Sequence, residues 1–206
     1  MKYLYKLYML LISILFCFSL HGQVPPSETN FIAPLDIPLV LAGTFGELRS
    51  NHFHSGIDIK TKGKEGLPVI AIEDGYVSRV KVTPGGYGRA LYLTHYNGYV
   101  SVYAHLKDFH TNIASYLIDQ QYSRQRFSVD LFPDKEDFVY EKGDTIAWTG
   151  NSGSSTAPHL HFEIRDAKTQ KVINPLLFGF KAKDTTPPTI NNLHIYPLDH
   201  QSIING

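Results

Sequence analysis

Residues 158–166 read PHLHFEIRD, and this stretch decides how the rest of the chain is interpreted. Side chains alternate between the two faces of a β-strand, and here one face carries Leu160, Phe162 and Ile164. His159 and His161 share the other face, about 6.5 Å apart at the usual rise per residue. Two imidazoles on the polar face of one strand indicate a binding site or a metal site.

A second segment, residues 54–59 with the sequence HSGIDI, places a histidine and a carboxylate on one face. Ile57 and Ile59 form its apolar set. His54 and Asp58 belong to the opposite set, and the glycine between them leaves open space on that face.

A third segment, residues 101–106 with the sequence SVYAHL, contributes one more histidine. Alternation assigns Val102, Ala104 and Leu106 to the apolar face, and Ser101, Tyr103 and His105 to the polar face. The three segments together offer His54, Asp58, His105, His159 and His161. This set suits a tetrahedral zinc site, in which three protein ligands leave one position for water and the other two residues act as acid–base groups.

Two features near these segments each have two interpretations. The small residues of GNSGSSTAP, at 150–158, form either a wall of the site or a simple flexible turn. Arg49 either binds a substrate carboxylate through its guanidinium fork or contacts only Glu47 or solvent. The histidines outside the set of five are expected to be surface or hydrogen-bonded residues.

Composition and charge are those of an ordinary globular protein. The chain has 206 residues, is 43% hydrophobic and has a formal net charge of zero, so nucleic-acid binding is not expected. Short apolar runs with β-branched and aromatic residues, separated by glycine-containing turns, predict a mostly β fold. Residues 108–141 have the pattern of an inserted segment, in which 111–127 can form a helix capped by Thr111 or Asn112.

The N-terminus has the pattern of an export signal. Lys2 and Lys6 precede an uncharged run at 7–20, which is shorter than a membrane-spanning helix usually needs. We expect residues 1–22 to be a signal peptide, with a short membrane anchor as the alternative, and residues 23–33 to be a flexible lead. The only cysteine, Cys17, lies in the apolar run, so the mature chain is expected to contain no disulfide and no stable membrane span.

These residues resemble the lysostaphin-type zinc endopeptidases, secreted enzymes that cut peptides of bacterial peptidoglycan. The resemblance rests on HSGID, YAHL and HLHFEI in this order and runs from about residue 45 to about residue 175. It implies a β-rich core of the kind called a duplicated hybrid motif, or barrel-sandwich hybrid. It further implies one zinc ion bound by His54, Asp58 and His161, with His105 and His159 as the catalytic pair.

The resemblance also implies a domain organisation and a function. We expect a zinc endopeptidase domain at 34–180, with the insertion at about 108–141 altering one groove wall. Residues 181–206 are then a linker with a closing strand, or the start of a second β domain. The implied activity is hydrolysis of amide bonds in peptidoglycan stem or cross-bridge peptides, in the periplasm, at the cell envelope or outside the cell. The alternative is a non-enzymatic wall-binding or regulatory module, which is expected to lack some of the ligands.

Overall fold

The computed structural model describes residues 29–184 together with Pro187 and Thr189. The expected signal peptide and most of the C-terminal segment lie outside these residues. Within the described range, no helix has the length and the apolar character that crossing a membrane requires.

The described chain is built mainly from short strands, which confirms the predicted mostly β class. They are β1 (Leu41–Gly43), β2 (Ile57–Lys60), β3 (Pro68–Ile70), β4 (Gly75–Val82), β5 (Arg89–His95), β6 (Tyr99–Ala104), β7 (Leu106–Phe109), β8 (Val129–Leu131), β9 (Val139–Tyr140), β10 (Thr145–Thr149), β11 (His159–Asp166) and β12 (Val172–Ile173). One α-helix, α1 (Thr111–Arg124), lies between β7 and β8, and a 3₁₀ turn spans Pro175–Phe178.

The strands form two sheets. The larger sheet has the order β1-β2-β11-β6-β5-β4-β8, with β12 beside β11 and β9 beside β4, and the smaller sheet has the order β3-β10-β7. Because β2, β11 and β6 are neighbours in the larger sheet, the three segments that carry the predicted site meet there. Asp58 lies opposite His161, and His161 lies opposite Ala104.

The larger sheet buries apolar residues on both faces. Its inner face contributes Ile57, Leu91 and Phe162, which are fully buried, to the main core. The opposite face carries a smaller cluster composed of Ala90, Tyr92, Val100, Val102 and Ala104. Each fully buried large side chain contributes about 1.5–3 kcal/mol, so both clusters hold the strands in register.

Strand β6 departs from the face assignment predicted from alternation. Tyr103 lies fully buried in the main core, whereas Val102 and Ala104 belong to the smaller cluster on the other face. The predicted phase is therefore wrong for this strand. A buried tyrosine needs partners for its hydroxyl, and Tyr103 finds them because the Ile72 N–H and the Ser101 hydroxyl donate to it.

The inserted segment is ordered and extends the larger sheet. Both β8 and β9 pair with β4, while α1 buries Ile113 and Leu117. The N-cap of α1 is His110 rather than Thr111 or Asn112. The Asn112 side chain does not cap the helix. Its Oδ1 instead accepts hydrogen bonds from the Ile113 N–H and from the Tyr140 hydroxyl.

Residues 31–33 belong to the folded region, although the sequence pattern placed them in a flexible lead. The ring of Phe31 lies 5.2 Å from that of Phe178 and 5.9 Å from that of Tyr99. The Ile32 N–H donates to the carbonyl of Ile72. The partly buried ring of Phe31 packs against the main core and so helps to hold this segment in place.

Gly56, just before β2, lies where the chain passes very close to β11. A Cβ at this position would lie 2.2 Å from Phe162 O and 2.8 Å from Glu163 Cγ. We expect Gly56→Ala to lower the free energy of unfolding by about 1–3 kcal/mol, because the strands would have to separate. Urea denaturation followed by circular dichroism measures this change.

Gly85→Ala is the matched control. A Cβ there would make only an ordinary contact, 3.6 Å from Ser154 Oγ. Its free energy of unfolding should stay within about 0.5 kcal/mol of wild type. A Gly56→Ala protein as stable as this control would contradict the close approach of the two strands.

Candidate metal centre

Three buried side chains converge at the β2–β11 pair. His54 Nε2 lies 3.1 Å from Asp58 Oδ1 and 3.0 Å from His161 Nδ1, and the last two atoms are 3.0 Å apart. Asp58 and His161 meet because they are opposite each other in the strand register. His54 precedes β2 and is held by backbone hydrogen bonds, since its N–H donates to Glu47 O and its carbonyl accepts from the Gly46 N–H.

The second nitrogen of each histidine is engaged by an acceptor. His54 Nδ1 lies 2.8 Å from Thr44 O, and His161 Nε2 lies 2.9 Å from Glu163 Oε1. A carbonyl and a carboxylate only accept, so these nitrogens carry the hydrogens. In the neutral imidazoles, the lone pairs of His54 Nε2 and His161 Nδ1 then face each other and the oxygen of Asp58. Three electron-rich atoms this close are stabilised by a cation between them, and two imidazoles with one carboxylate fit zinc.

The carboxylate of Asp58 is ionised, as a metal ligand must be. Burial acts to raise its pKa, but the adjacent imidazoles of His159, His161 and His54, when protonated, hold the pKa well below the ordinary value for aspartate. Its second oxygen, Oδ2, accepts a hydrogen bond of 2.9 Å from Arg49, which also contacts Glu47 Oε2 at 3.3 Å. Both interpretations of Arg49 made from the sequence omitted this contact with Asp58.

Glu163 is the main residue of the site that the sequence pattern did not assign a role. Its carboxylate is fully buried and accepts hydrogen bonds from His161 Nε2, from Ser55 Oγ at 2.5 Å and from the Tyr87 hydroxyl. Arg165 Nε also donates to it, at 2.7 Å. Burial acts to raise the pKa of Glu163, but His161 and Arg165 hold it at about 2. The sequence could have indicated this role, because Glu163 lies two residues after His161 on the same face of the strand.

His105 and His159 lie beside the three converging residues, with ring centroids 4.7 Å apart. His105 Nδ1 is 2.8 Å from Ser152 O, and His159 Nδ1 is 2.8 Å from Ala157 O. Since carbonyls only accept, both histidines donate from Nδ1 and keep Nε2 for other partners. His159 Nε2 lies 3.5 Å from Asp58 Oδ1.

His105 reaches the site through a break in strand alternation. An unbroken strand would place it on the same face as Tyr103, which lies in the main core. His105 instead has a φ of 58° between β6 and β7, and its N–H donates to Tyr87 O. Such a left-handed conformation costs a non-glycine residue about 1 kcal/mol or more, and strain of this kind is often found at functional sites.

The two histidines differ in their affinity for a proton. Burial lowers the pKa of His105 to about 4, so this imidazole is neutral at pH 7. Burial also acts to lower the pKa of His159, but its hydrogen bond to Asp58 raises the pKa above the ordinary value. At pH 7 the pair therefore combines a neutral imidazole of low proton affinity, His105, with an imidazole that holds a proton more firmly, His159.

The GNSGSSTAP loop is a fixed wall of the groove. The Ser154 N–H donates to Gly86 O, and Ser154 Oγ accepts from the Gly86 N–H, both at 2.9 Å. A Cβ at Gly153 would lie 2.3 Å from Gly86 O, so this close contact requires a glycine. The groove beside this loop has a volume of about 370 Å³, and all five predicted site residues line it.

Comparison with known proteins points to one peptidase family. The family profile described as Peptidase family M23 matches residues 52–120. The DD-carboxypeptidase/endopeptidase Mpg of Neisseria meningitidis is 33% identical over 118 residues, which cover 57% of this chain and 21% of that protein. The murein hydrolase activator NlpD of Escherichia coli is 32% identical over 135 residues, covering 66% of this chain and 28% of that protein. The chain thus spans less than a third of these curated relatives.

A solved structure shows the same fold. The catalytic domain of the antimicrobial peptidase lysostaphin from Staphylococcus simulans superposes with a TM-score of 0.51. The alignment covers 68% of this chain and 91% of that domain, at 23% identity. At this identity the likeness concerns the fold, and it agrees with the predicted β-rich architecture.

Glu163→Gln tests whether the buried carboxylate orients His161. Glutamine keeps the size of the side chain but removes the charge that accepts the Nε2 hydrogen. We expect the affinity for zinc to fall about 10- to 100-fold, as for other residues that hold a metal-binding histidine. Competition with a chromogenic chelator measures the affinity.

The exposed Glu136, near the start of β9, provides the control. Glu136→Gln should bind zinc like wild type. Unchanged zinc affinity in a folded Glu163→Gln protein would rule out the orienting role.

Proposed function

Because the Peptidase family M23 profile matches residues 52–120, we propose that the chain is an exported zinc endopeptidase of this family. Its substrates are the stem or cross-bridge peptides of peptidoglycan, in which it hydrolyses amide bonds. The observation that carries the proposal is the convergence of His54, Asp58 and His161 in one groove with His105 and His159.

A non-enzymatic regulatory module is the alternative, and one relative is named as an activator of murein hydrolases. A module that has lost its activity is expected to have lost part of the donor set. Here all three converging ligand atoms and both neighbouring histidines are in place, with their second nitrogens held by acceptors. This complete set favours the enzyme.

We assign the binding of one zinc ion to His54 Nε2, Asp58 Oδ1 and His161 Nδ1. When bound, zinc acts as a Lewis acid that polarises the amide carbonyl and lowers the pKa of water toward about 7. The protein positions these three atoms through Thr44 and Glu163, which fix the histidine tautomers, and through Arg49, which holds the second oxygen of Asp58.

The remaining two histidines handle the protons. Neutral His105 accepts a proton at Nε2 from the attacking water, because Ser152 O already holds its Nδ1 hydrogen. His159, which retains a proton more readily, stabilises the oxyanion and donates from Nε2 to the leaving amine. Peptidoglycan lies outside the cytoplasmic membrane, so this function requires the export expected from residues 1–22.

Alanine variants separate metal binding from proton transfer. We expect His105→Ala and His159→Ala to retain zinc and to lose about 100- to 10,000-fold in hydrolysis rate. His54→Ala and Asp58→Ala should lose both zinc and activity, because each removes a ligand. Metal content by mass spectrometry and hydrolysis of purified peptidoglycan test all four proteins.

His52, an exposed histidine two residues before His54, provides the control. His52→Ala should keep its zinc and most of its activity. Loss of zinc from His159→Ala, with zinc retained by a His161→Ala protein, would reverse the assignment of these two residues.

The substrate class is tested by digesting peptidoglycan with the full chain. We expect cross-linked muropeptide dimers to disappear and the corresponding monomers to accumulate, as followed by mass spectrometry. A chelator should stop the reaction, and added zinc should restore it. Zinc-loaded protein that leaves all cross-links intact, yet stimulates another murein hydrolase, would favour the regulatory module.

A further inference from the structure

The groove continues past Asp58, away from the loop wall formed by Gly86 and Ser154. A second cavity of about 390 Å³ adjoins the first and shares Arg49, Asp58, Thr156 and His159 with it. Lys60 and Lys62 line this second cavity. The groove therefore has two limbs that meet over the candidate metal centre, and an extended peptide can occupy both.

Lys60 is fixed in this limb by the register of the sheet. Asp58 pairs with His161, and Lys60 pairs with His159 in the next position on the same face. Two residues along a strand correspond to about 6.6 Å. A substrate lying along the groove would therefore place a group about two residues from the reacting bond beside Lys60.

Lys62 lies in a tight turn next to the same position. The Lys64 N–H donates to Thr61 O, and Lys62 and Gly63 both have positive φ, 56° and 71°, as in a type I′ turn. The hydroxyl of Thr61 donates to Pro158 O, which fixes the turn beside His159. Asparagine or glycine suits the first central position better than lysine, so Lys62 adopts a strained backbone conformation, of a kind often found at functional sites.

The two limbs differ in charge. No side-chain hydrogen bond or ion pair of Lys60 or Lys62 occurs within the part of the chain that the structure describes. The opposite limb is lined by neutral groups such as Tyr87 and Ser154. We propose that Lys60 and Lys62 form a carboxylate-binding subsite, which selects peptides carrying a free carboxylate about two residues from the hydrolysed bond. This subsite rests on the proposed function, because it places the peptide over the same centre.

The test compares two substrates that differ only in charge. One is a muropeptide dimer with free α-carboxylates, and the other is the same dimer after conversion of its carboxylates to carboxamides. We expect a Lys60→Gln and Lys62→Gln double variant to raise KM for the free-carboxylate dimer by about three- to tenfold, with kcat little changed. Amidation should raise the KM of wild type by a similar factor, and the variant should show no further loss on the amidated dimer.

Two controls separate charge from structure. Lys64→Gln removes a neighbouring charge that does not line the cavity, and it should leave KM unchanged. Lys62→Asn suits the left-handed backbone, so it should be at least as stable as wild type and still raise KM for the free-carboxylate dimer. Equal effects of the double variant on both dimers, or none on either, would overturn the subsite.

Binding measurements distinguish failure of the subsite from failure of the proposed function. In a His105→Ala background, anisotropy of labelled dimers reports affinity without turnover. Affinity that depends on both the carboxylates and the lysines supports the subsite, whether or not wild type hydrolyses the dimers. Failure of wild type to hydrolyse either dimer would refute the proposed peptidase activity and leave the subsite standing. Affinity that is independent of the lysines refutes the subsite, whether or not hydrolysis occurs.

Discussion

Three electron-rich atoms held within 3.1 Å of one another are the constraint on which the rest of the structure depends. Two imidazole lone pairs and a carboxylate oxygen repel one another unless a cation or an extra proton lies between them. The fold holds them in this arrangement through Thr44, Glu163 and Arg49. Each of these residues forms a hydrogen bond to one of the three groups, at the atom that does not face the other two. If the proposed metal ion binds only the folded chain, stability and metal affinity are coupled.

The sheet makes this arrangement rigid. The buried residues Ile57 and Phe162 lie on the inner face of β2 and β11, and the smaller apolar cluster packs on the outer face beside the site. Because both faces are packed, a shift of β2 relative to β11 would expose apolar surface as well as separate Asp58 from His161. Gly56 permits the close approach of the two strands at this point. Packing and the geometry of the candidate metal centre therefore place the same requirement on the register.

The groove around the centre is asymmetric in the residues that line it. One limb is bounded by the tied loops at 85–89 and 151–155, which offer small neutral groups. The other limb is bounded by the turn at 61–64, which offers lysines. The insertion lies on the far edge of the larger sheet, where β8 and β9 pair with β4.

The sequence by itself determined the fold class, and alternation, a local property that holds along β2 and β11, placed Asp58, His159 and His161 on one face. The motifs HSGID and YAHL added His54 and His105 through the family resemblance. It also indicated the helix in the insertion, although the N-cap is His110 and the Asn112 side chain accepts from Tyr140 instead. Only the tertiary structure decided how His105 reaches the site, since a left-handed residue ends the alternation of β6 and reverses the face. The role of Glu163, the pairing of Arg49 with Asp58 and the position of Lys62 likewise depend on residues distant in sequence. Such contacts arise from strand register and turn conformation, which no local pattern of residue types specifies.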